Sequence, residues 1–286
     1  MRTTLRATLA LAAAASLLAA CGGTDDGTAA SGEGTGNECT AGKTITDGTL
    51  TIATGNPAFS PWVENDAPES GEGFEAAVAY AVAGELGFAE ENVAWVRTGF
   101  DEAIQPGAKN FDFNLQQYSI TPEREETVSF SEPYYTTNQA IVGYPDSLAG
   151  GATSVADLKG LKFGVQAGTT SLEFLETVIA PDTEAFVYDD NAAAKAALEA
   201  KQIDAIVVDL PTAFYIAAVE IEGAAVIGQF PAAGSADEFG LLFDLGNPLV
   251  ECVNAALASL RDSGDLAAIE QTWLADKTNA PVIATE

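Results

Sequence analysis

The chain has 286 residues, 47% of them hydrophobic, which suffices for one large globular core or two small ones. Its 42 acidic residues face 12 basic ones, for a net charge of −30, and it contains no histidine. The charge excludes a phosphate-binding surface of clustered Lys and Arg, so nucleic acid is not a partner, and the missing histidine excludes Ser-His-Asp and Cys-His catalysis and imidazole metal sites. The acids are spread along the chain, so their first effect is solubility, and attraction of cationic ligands comes second. No EF-hand spacing is present, and neither a metal nor a cofactor is expected.

Arg2 and Arg6 precede an apolar run from Leu9 to Leu18 that is too short to span a bilayer. Leu18-Ala-Ala-Cys21 follows and resembles the bacterial lipobox, in which a peptidase cuts before the cysteine and the thiol then carries diacylglycerol. This implies a signal peptide over residues 1–20 and an extracytoplasmic protein anchored to the cell membrane through lipidated Cys21. An ordinary signal peptide cut after Ala20 is the alternative. Residues 21–44 are rich in Gly, Thr, Ser and acids and read as a flexible tether. Cys39 and Cys252 then remain, and in an oxidising compartment an even remainder points to a disulfide. Two free thiols, with Cys252 a small buried hydrophobe on its helix, would be the other arrangement.

From Leu50 onward, strand and helix patterns alternate. Residues 50–54 predict a strand. Residues 73–86 predict a helix, with Phe74, Ala77, Val78, Ala81 and Val82 at helical spacing. A strand over 93–97, a short helix over 100–108 and a strand over 111–116 follow. Ser154-Val-Ala-Asp157 reads as a capping box that opens a second cycle. That cycle predicts a strand over 162–166 and a helix over 169–179 stopped by Pro181. A strand over 185–188, a helix over 192–200 and a strand over 205–208 come next. A helix entered through Leu210-Pro211 and a strand over 225–230 complete it. Residues 239–243 predict a last strand, and 248–261 and 266–275 predict helices. The alternation implies an α/β protein of right-handed βαβ units around mostly parallel sheets. It suits two lobes with a ligand cleft at the carboxyl ends of the strands. The expected division is a first part of lobe 1 over 45–141, lobe 2 over 142–236, and a return to lobe 1 with C-terminal helices over 237–286. Hinges are expected near 140–143 and 236–239.

Ser119-Ile-Thr-Pro-Glu-Arg124, Val128-Ser-Phe-Ser131 and Pro133-Tyr-Tyr135 together resemble the polar amino-acid-binding (family 3) solute-binding proteins of ABC importers. Pro57-Ala-Phe-Ser-Pro-Trp62, Gly73-Phe-Glu75, Asp157-Leu-Lys-Gly160, Gly164-Val-Gln-Ala-Gly-Thr-Thr170 and Asp209-Leu-Pro211 agree in order and spacing. The likeness covers roughly residues 48–276. It implies a two-lobed periplasmic-binding-protein-like (type II) fold whose lobes close on a small ligand, a permease partner and a monomer. The expected function is capture of a polar amino acid, cationic ones included, for an ABC importer, without catalysis.

The chemistry of such a ligand can be set beside the resemblance. A carboxylate wants the bidentate fork of an Arg, and Arg124 follows a strand end and a Ser/Thr turn. Backbone N–H groups at Ser119, Thr169 and Thr170 add donors, Thr170 at a helix start. An ammonium wants a carboxylate, and Asp209 ends a strand. The resemblance assigns Phe59 and Phe100 to the ligand's apolar stem, with Trp62 more at home in a core. Plain alternatives are a surface Arg124 near Glu125 and Glu126, an N-capping Asp209 and core aromatics. Asn56 is neutral where the family is often acidic, and Gln117 stands where it often has Gly. The ligand's side chain is therefore expected to meet an unusual hydrogen-bond pattern, unless the Gln117 amide is satisfied by backbone. An enzyme on the same fold, dehydratase-like, would need a further acid such as Glu64 or Glu75. A ligand-sensing lipoprotein would look the same in sequence.

Overall fold

The structure is a computed structural model that describes residues 34–231, 236–274 and 280–285. The signal peptide, Cys21 and the first part of the tether lie outside them. The first lobe begins with β1 (Leu50–Gly55), α1 (Phe74–Glu85), β2 (Val93–Thr98), α2 (Phe100–Ile104), β3 (Phe113–Asn114) and β4 (Val128–Phe130). The chain passes through β5 (Tyr135–Thr137) into β6 (Gln139–Gly143), α3 (Val155–Leu158), β7 (Phe163–Gln166), α4 (Thr170–Phe174) and β8 (Phe186–Tyr188). Next come α5 (Asn191–Glu199), β9 (Ala205–Asp209), α6 (Leu210–Tyr215) and β10 (Ala225–Gln229). The chain returns through β11 (Asp237–Phe239), adds β12 (Leu242–Asp244) and closes with α7 (Val250–Ser263) and α8 (Asp265–Leu274).

Two five-stranded sheets result, in the orders β2-β1-β3-β12-β4 and β10-β6-β9-β7-β8, together with a ribbon of β11 and β5. The β1–β2, β1–β3, β7–β8 and β7–β9 pairs are parallel. Strand alternation decides which residues build which layer. In the second sheet Ile141, Val165 and Val207 face one core with Leu158, Leu175 and Ile179. Ala140, Val142, Ile206 and Val208 face the other, under Leu198, Leu210 and Ala213. In the first, Ile52 and Phe113 pack with Phe74, Val78 and Leu257, while Ala53 turns to Phe111, Tyr118 and Leu242.

Several expectations shift. The strand expected over 239–243 is two strands broken at Gly240, where a Cβ would meet Ile120 Cγ1 at 2.9 Å. The helix expected to residue 108 stops at Ile104, because Gln105 precedes Pro106 and takes an extended ψ of 144°. The expected hinge at 140–143 lies inside β6, between β10 and β9 of the second sheet, and the boundary after residue 141 cuts that strand. The chain crosses earlier, at β5, which pairs with β11 through Thr137↔Asp237 and Tyr135↔Phe239. Residues 280–285 belong with the second lobe, not the first. Ile283 is buried in its core and donates to Gln229 O at 3.0 Å, while Gln229 N donates to Pro281 O at 2.8 Å. The tether also ends sooner than residue 44. Gly36 and Asn37 donate to Gly87 O and Leu86 O at 3.0 and 2.9 Å, fastening this segment beyond the end of α1.

Cys39 and Cys252 form a disulfide with Cα atoms 5.9 Å apart, joining that segment to α7 across 213 residues. Closing so long a loop restricts the unfolded chain, with an expected stabilisation of about 2–5 kcal/mol. Replacing both cysteines by serine is therefore expected to lower the thermal midpoint and the denaturant midpoint without changing ligand affinity. An unchanged midpoint would show that the cross-link adds nothing.

Candidate ligand-binding cleft

Strands β1, β2 and β3 of the first sheet and β7, β8 and β9 of the second aim their carboxyl ends at one cavity of about 230 Å³. All nine sequence-expected ligand residues line it: Asn56, Phe59, Phe100, Gln117, Ser119, Arg124, Thr169, Thr170 and Asp209. The first lobe supplies the loop after β1, the N-terminus of α2 and the turn after β3. The second supplies the β7–α4 turn, the β8–α5 junction and the end of β9.

Arg124 is buried, which excludes a surface role. Its Nη1 donates to Ser119 O at 2.7 Å and its Nη2 to Gly168 O, across the cleft, at 3.0 Å. The guanidinium lies 5.4 Å from the Phe100 ring centroid, and Phe100 stacks on Tyr118 with centroids 4.8 Å apart. Burial makes its charge costlier, and the nearby Tyr118, Asp237, Asp209 and Asp101 favour it. Two of five N–H donors are thus committed to carbonyls, which fixes the plane of the fork and leaves the rest for a ligand.

Asp209 heads α6 without using its side chain as a cap. Its Oδ1 accepts from Gln139 Nε2 at 3.1 Å, and the same nitrogen donates to Asp237 Oδ2 at 2.8 Å. Gln139 Oε1 in turn accepts from Ser171 Oγ at 2.7 Å. One amide therefore spans the cavity-lining carboxylate and the β11 carboxylate of the ribbon. Burial and the Asp237 charge hold the Asp209 carboxyl well above the usual carboxylate range, against the pull of Gln139 and Arg124.

Among the described residues, three side-chain hydrogen bonds close the lobes on each other. Trp62 Nε1 donates to Thr212 Oγ1 at 2.8 Å, the hydroxyls of Ser119 and Thr170 pair at 3.2 Å, and Arg124 reaches Gly168. Gly168 has φ 69°, and a Cβ there would meet Asp101 Oδ1 at 2.1 Å, so the turn needs glycine to come this close. Trp62 is buried and does not line the cavity, which places it in the core. Thr169 caps α4, accepting from Leu172 N at 3.2 Å. Arg97 orders the loop after β1 by donating to Gly55 O at 2.8 Å and to Asp66 Oδ1 at 2.5 Å.

The family model for bacterial extracellular solute-binding proteins, family 3, matches residues 50–276. The chain belongs to this family. It is 32% identical over 168 residues to the L-cystine-binding protein TcyJ of Escherichia coli K12, covering 58% of this chain and 61% of that protein. The chain thus spans about three fifths of that relative. The arginine-binding periplasmic protein of Mannheimia haemolytica is 29% identical over 230 residues, covering 77% of this chain and 90% of the relative. Among solved structures, an ancestral arginine-binding protein bound to glutamine superposes with a TM-score of 0.67 at 30% identity, covering 81% of this chain and 100% of the other. The ancestral amino-acid-binding protein AncCDT-1, a precursor of cyclohexadienyl dehydratase, gives 0.63 at 29% identity, covering 79% of this chain and 94% of the other. The two-lobed type II fold of these binding proteins is the fold of this chain.

Sequence reasoning missed part of the wall. Gln116, Gln166, Ser171, Asp189, Asp190 and Asn191 also line the cavity. Asp190 caps α5, accepting from Ala193 N at 2.8 Å, whereas Asp189 makes no hydrogen bond or ion pair among the described residues. An acid pair directly after a strand, before a helix, was the signal available for them. The wall therefore carries Asp189, Asp190 and Asp209 against Arg124 as its single cation. Glu64 and Glu75 do not line it: Glu64 accepts from Ser60 Oγ at 2.7 Å, and Glu75 is bonded by Tyr134 and Gln117. The N–H end of the Gln117 amide is taken by that carboxylate rather than by backbone. Among the described residues no cluster of acids or cysteines is placed to hold a metal, and no helix is long and apolar enough to cross a membrane.

Proposed function

We propose that this protein captures an amino acid with a positively charged side chain and delivers it to an ABC importer. The carrying observation is the charge of the cavity wall, three carboxylates against one guanidinium. Arg124 takes the ligand carboxylate and Asp209 its α-ammonium, while Phe59 and Phe100 cover the stem. Asp189 then remains over, with the helix-capping Asp190 beside it, and a second positive charge on the ligand answers them. Relatives and neighbours named for arginine support this reading. A neutral ligand, as in the cystine-binding relative, is the competing one. Ligand closes the lobes about the β5–β11 ribbon, and the closed form is what the permease receives. The protein acts outside the cytoplasm as a monomer, held to the membrane by lipid on Cys21.

The deciding experiment is thermal unfolding of residues 22–286 with each common amino acid. A ligand that binds only the folded state adds about 2.7 kcal/mol at a hundred times its Kd. Arginine and lysine are expected to raise the midpoint most, glutamine less and glutamate not at all. A larger response to cystine or glutamine would give the site to a neutral ligand. No response to any amino acid would sink the proposal.

A further inference from the structure

Gln117 has φ 52°, a left-handed conformation that a non-glycine residue keeps only where its surroundings hold it. They do. Glu75, on the first turn of α1 and only 1% exposed, accepts from Gln117 N at 2.7 Å and from Gln117 Nε2. Its Oε1 also accepts from the hydroxyl of buried Tyr134. Glu75 does not reach the cavity, but Gln117 lines it. With Nε2 given to Glu75, Gln117 Oε1 has no hydrogen bond among the described residues. The amide is oriented, and its open end is an acceptor.

We infer that Glu75 is a positioning residue for the cleft: it clamps Gln117 in the left-handed conformation and turns its amide so that Oε1 receives an N–H group of the ligand's side chain. This rests on the amino-acid reading of the site. It explains why a large amide is tolerated at a position that suits glycine, and it makes the pair Glu75–Gln117 a reader of donor-bearing side chains. Burial outweighs the three hydrogen bonds and raises the Glu75 carboxyl to about 7. The other titratable groups facing it are Tyr134 and Tyr118, both pushed upward and neutral at that pH, and Asp209 from the second lobe. Every donor at Glu75 already points at it, so a proton there displaces one of them. The clamp therefore loosens as pH falls through about 7.

The test has two arms. In the ligand-free protein, the Gln117 side-chain amide is followed by nitrogen-15 NMR and assigned by its loss in Gln117→Gly. Its resonance is expected to titrate with a midpoint about pH 7 and to move in Glu75→Gln. In the second arm, Kd is measured for L-arginine and for L-methionine, whose side chain carries no N–H donor. Glu75→Gln and Gln117→Gly are each expected to weaken arginine about tenfold, as for one lost hydrogen bond, and to change the arginine-to-methionine ratio. The double variant is expected to be no worse than either single one. Gln117→Gly relieves strain, so it remains informative if Glu75→Gln folds poorly. A titrating amide with neither amino acid bound supports the clamp and removes the amino-acid reading. A silent amide, an unchanged ratio and additive losses overturn the inference.

Discussion

Arg124→Ala is expected to weaken binding of the best amino acid in calorimetric titration by about a hundredfold or more, because a planar two-pronged donor is lost from a site closed to water. The residue does three things at once. Under the proposed function it presents N–H groups to the ligand carboxylate; it also rests on Phe100, and through Gly168 O it ties the first lobe to the second. Arg124→Lys separates these. Lysine keeps the charge but not the fork, so it cannot hold Ser119 O and Gly168 O while facing a carboxylate. An intermediate loss of about tenfold is expected for it. If lysine restored full affinity, the carboxylate would be held by charge alone. If alanine bound within about threefold of the parent, the ligand would not be anchored through Arg124.

Arg124 was legible in the sequence because its setting is local. Thr121 Oγ1 accepts from Arg124 N at 3.2 Å, and the guanidinium folds back to Ser119 O, five residues away. Periodicity likewise carried the helices and strands whose cores are sorted by alternation, such as α1 and β9. What stayed hidden depends on contacts distant in sequence. Gln139 joins Asp209 to Asp237, 70 and 98 residues away, and nothing in the sequence around it suggests a bridge. Glu75 meets Gln117 across 42 residues, so an acid weighed for catalysis is in fact turned inward. The C-terminal residues are short and irregular, and only their pairing with Gln229 and Ser154 shows which lobe they join. The hinge expected at 236–239 falls on β11, but the one expected at 140–143 was misjudged for a related reason. The ribbon strands are three residues long, too short for a pattern, while the apolar run of β6 beside them announces a strand but not its sheet.

Asp209→Asn is expected to move affinity and stability in opposite directions. The amide keeps the shape of the side chain and an oxygen to accept from Gln139 Nε2, so the geometry around β9 survives. It removes the charge that pairs with a ligand ammonium, and a loss of about a hundredfold in affinity is expected for such a buried partner. In the unliganded protein that same charge is a burden, since burial and Asp237 raise the Asp209 carboxyl well above its ordinary value. A carboxyl raised on folding favours the native state below its unfolded pKa, and that contribution is lost as pH rises through the folded value. At neutral pH asparagine removes the burden, and the unliganded variant is expected to melt above the parent. Ligand affinity of the parent is expected to rise with pH as Asp209 ionises, with a proton released on binding below that point. The variant has no such slope from this site. If Asp209→Asn bound as tightly as the parent, or melted lower without ligand, Asp209 would serve the fold and the ammonium would be held elsewhere on the wall.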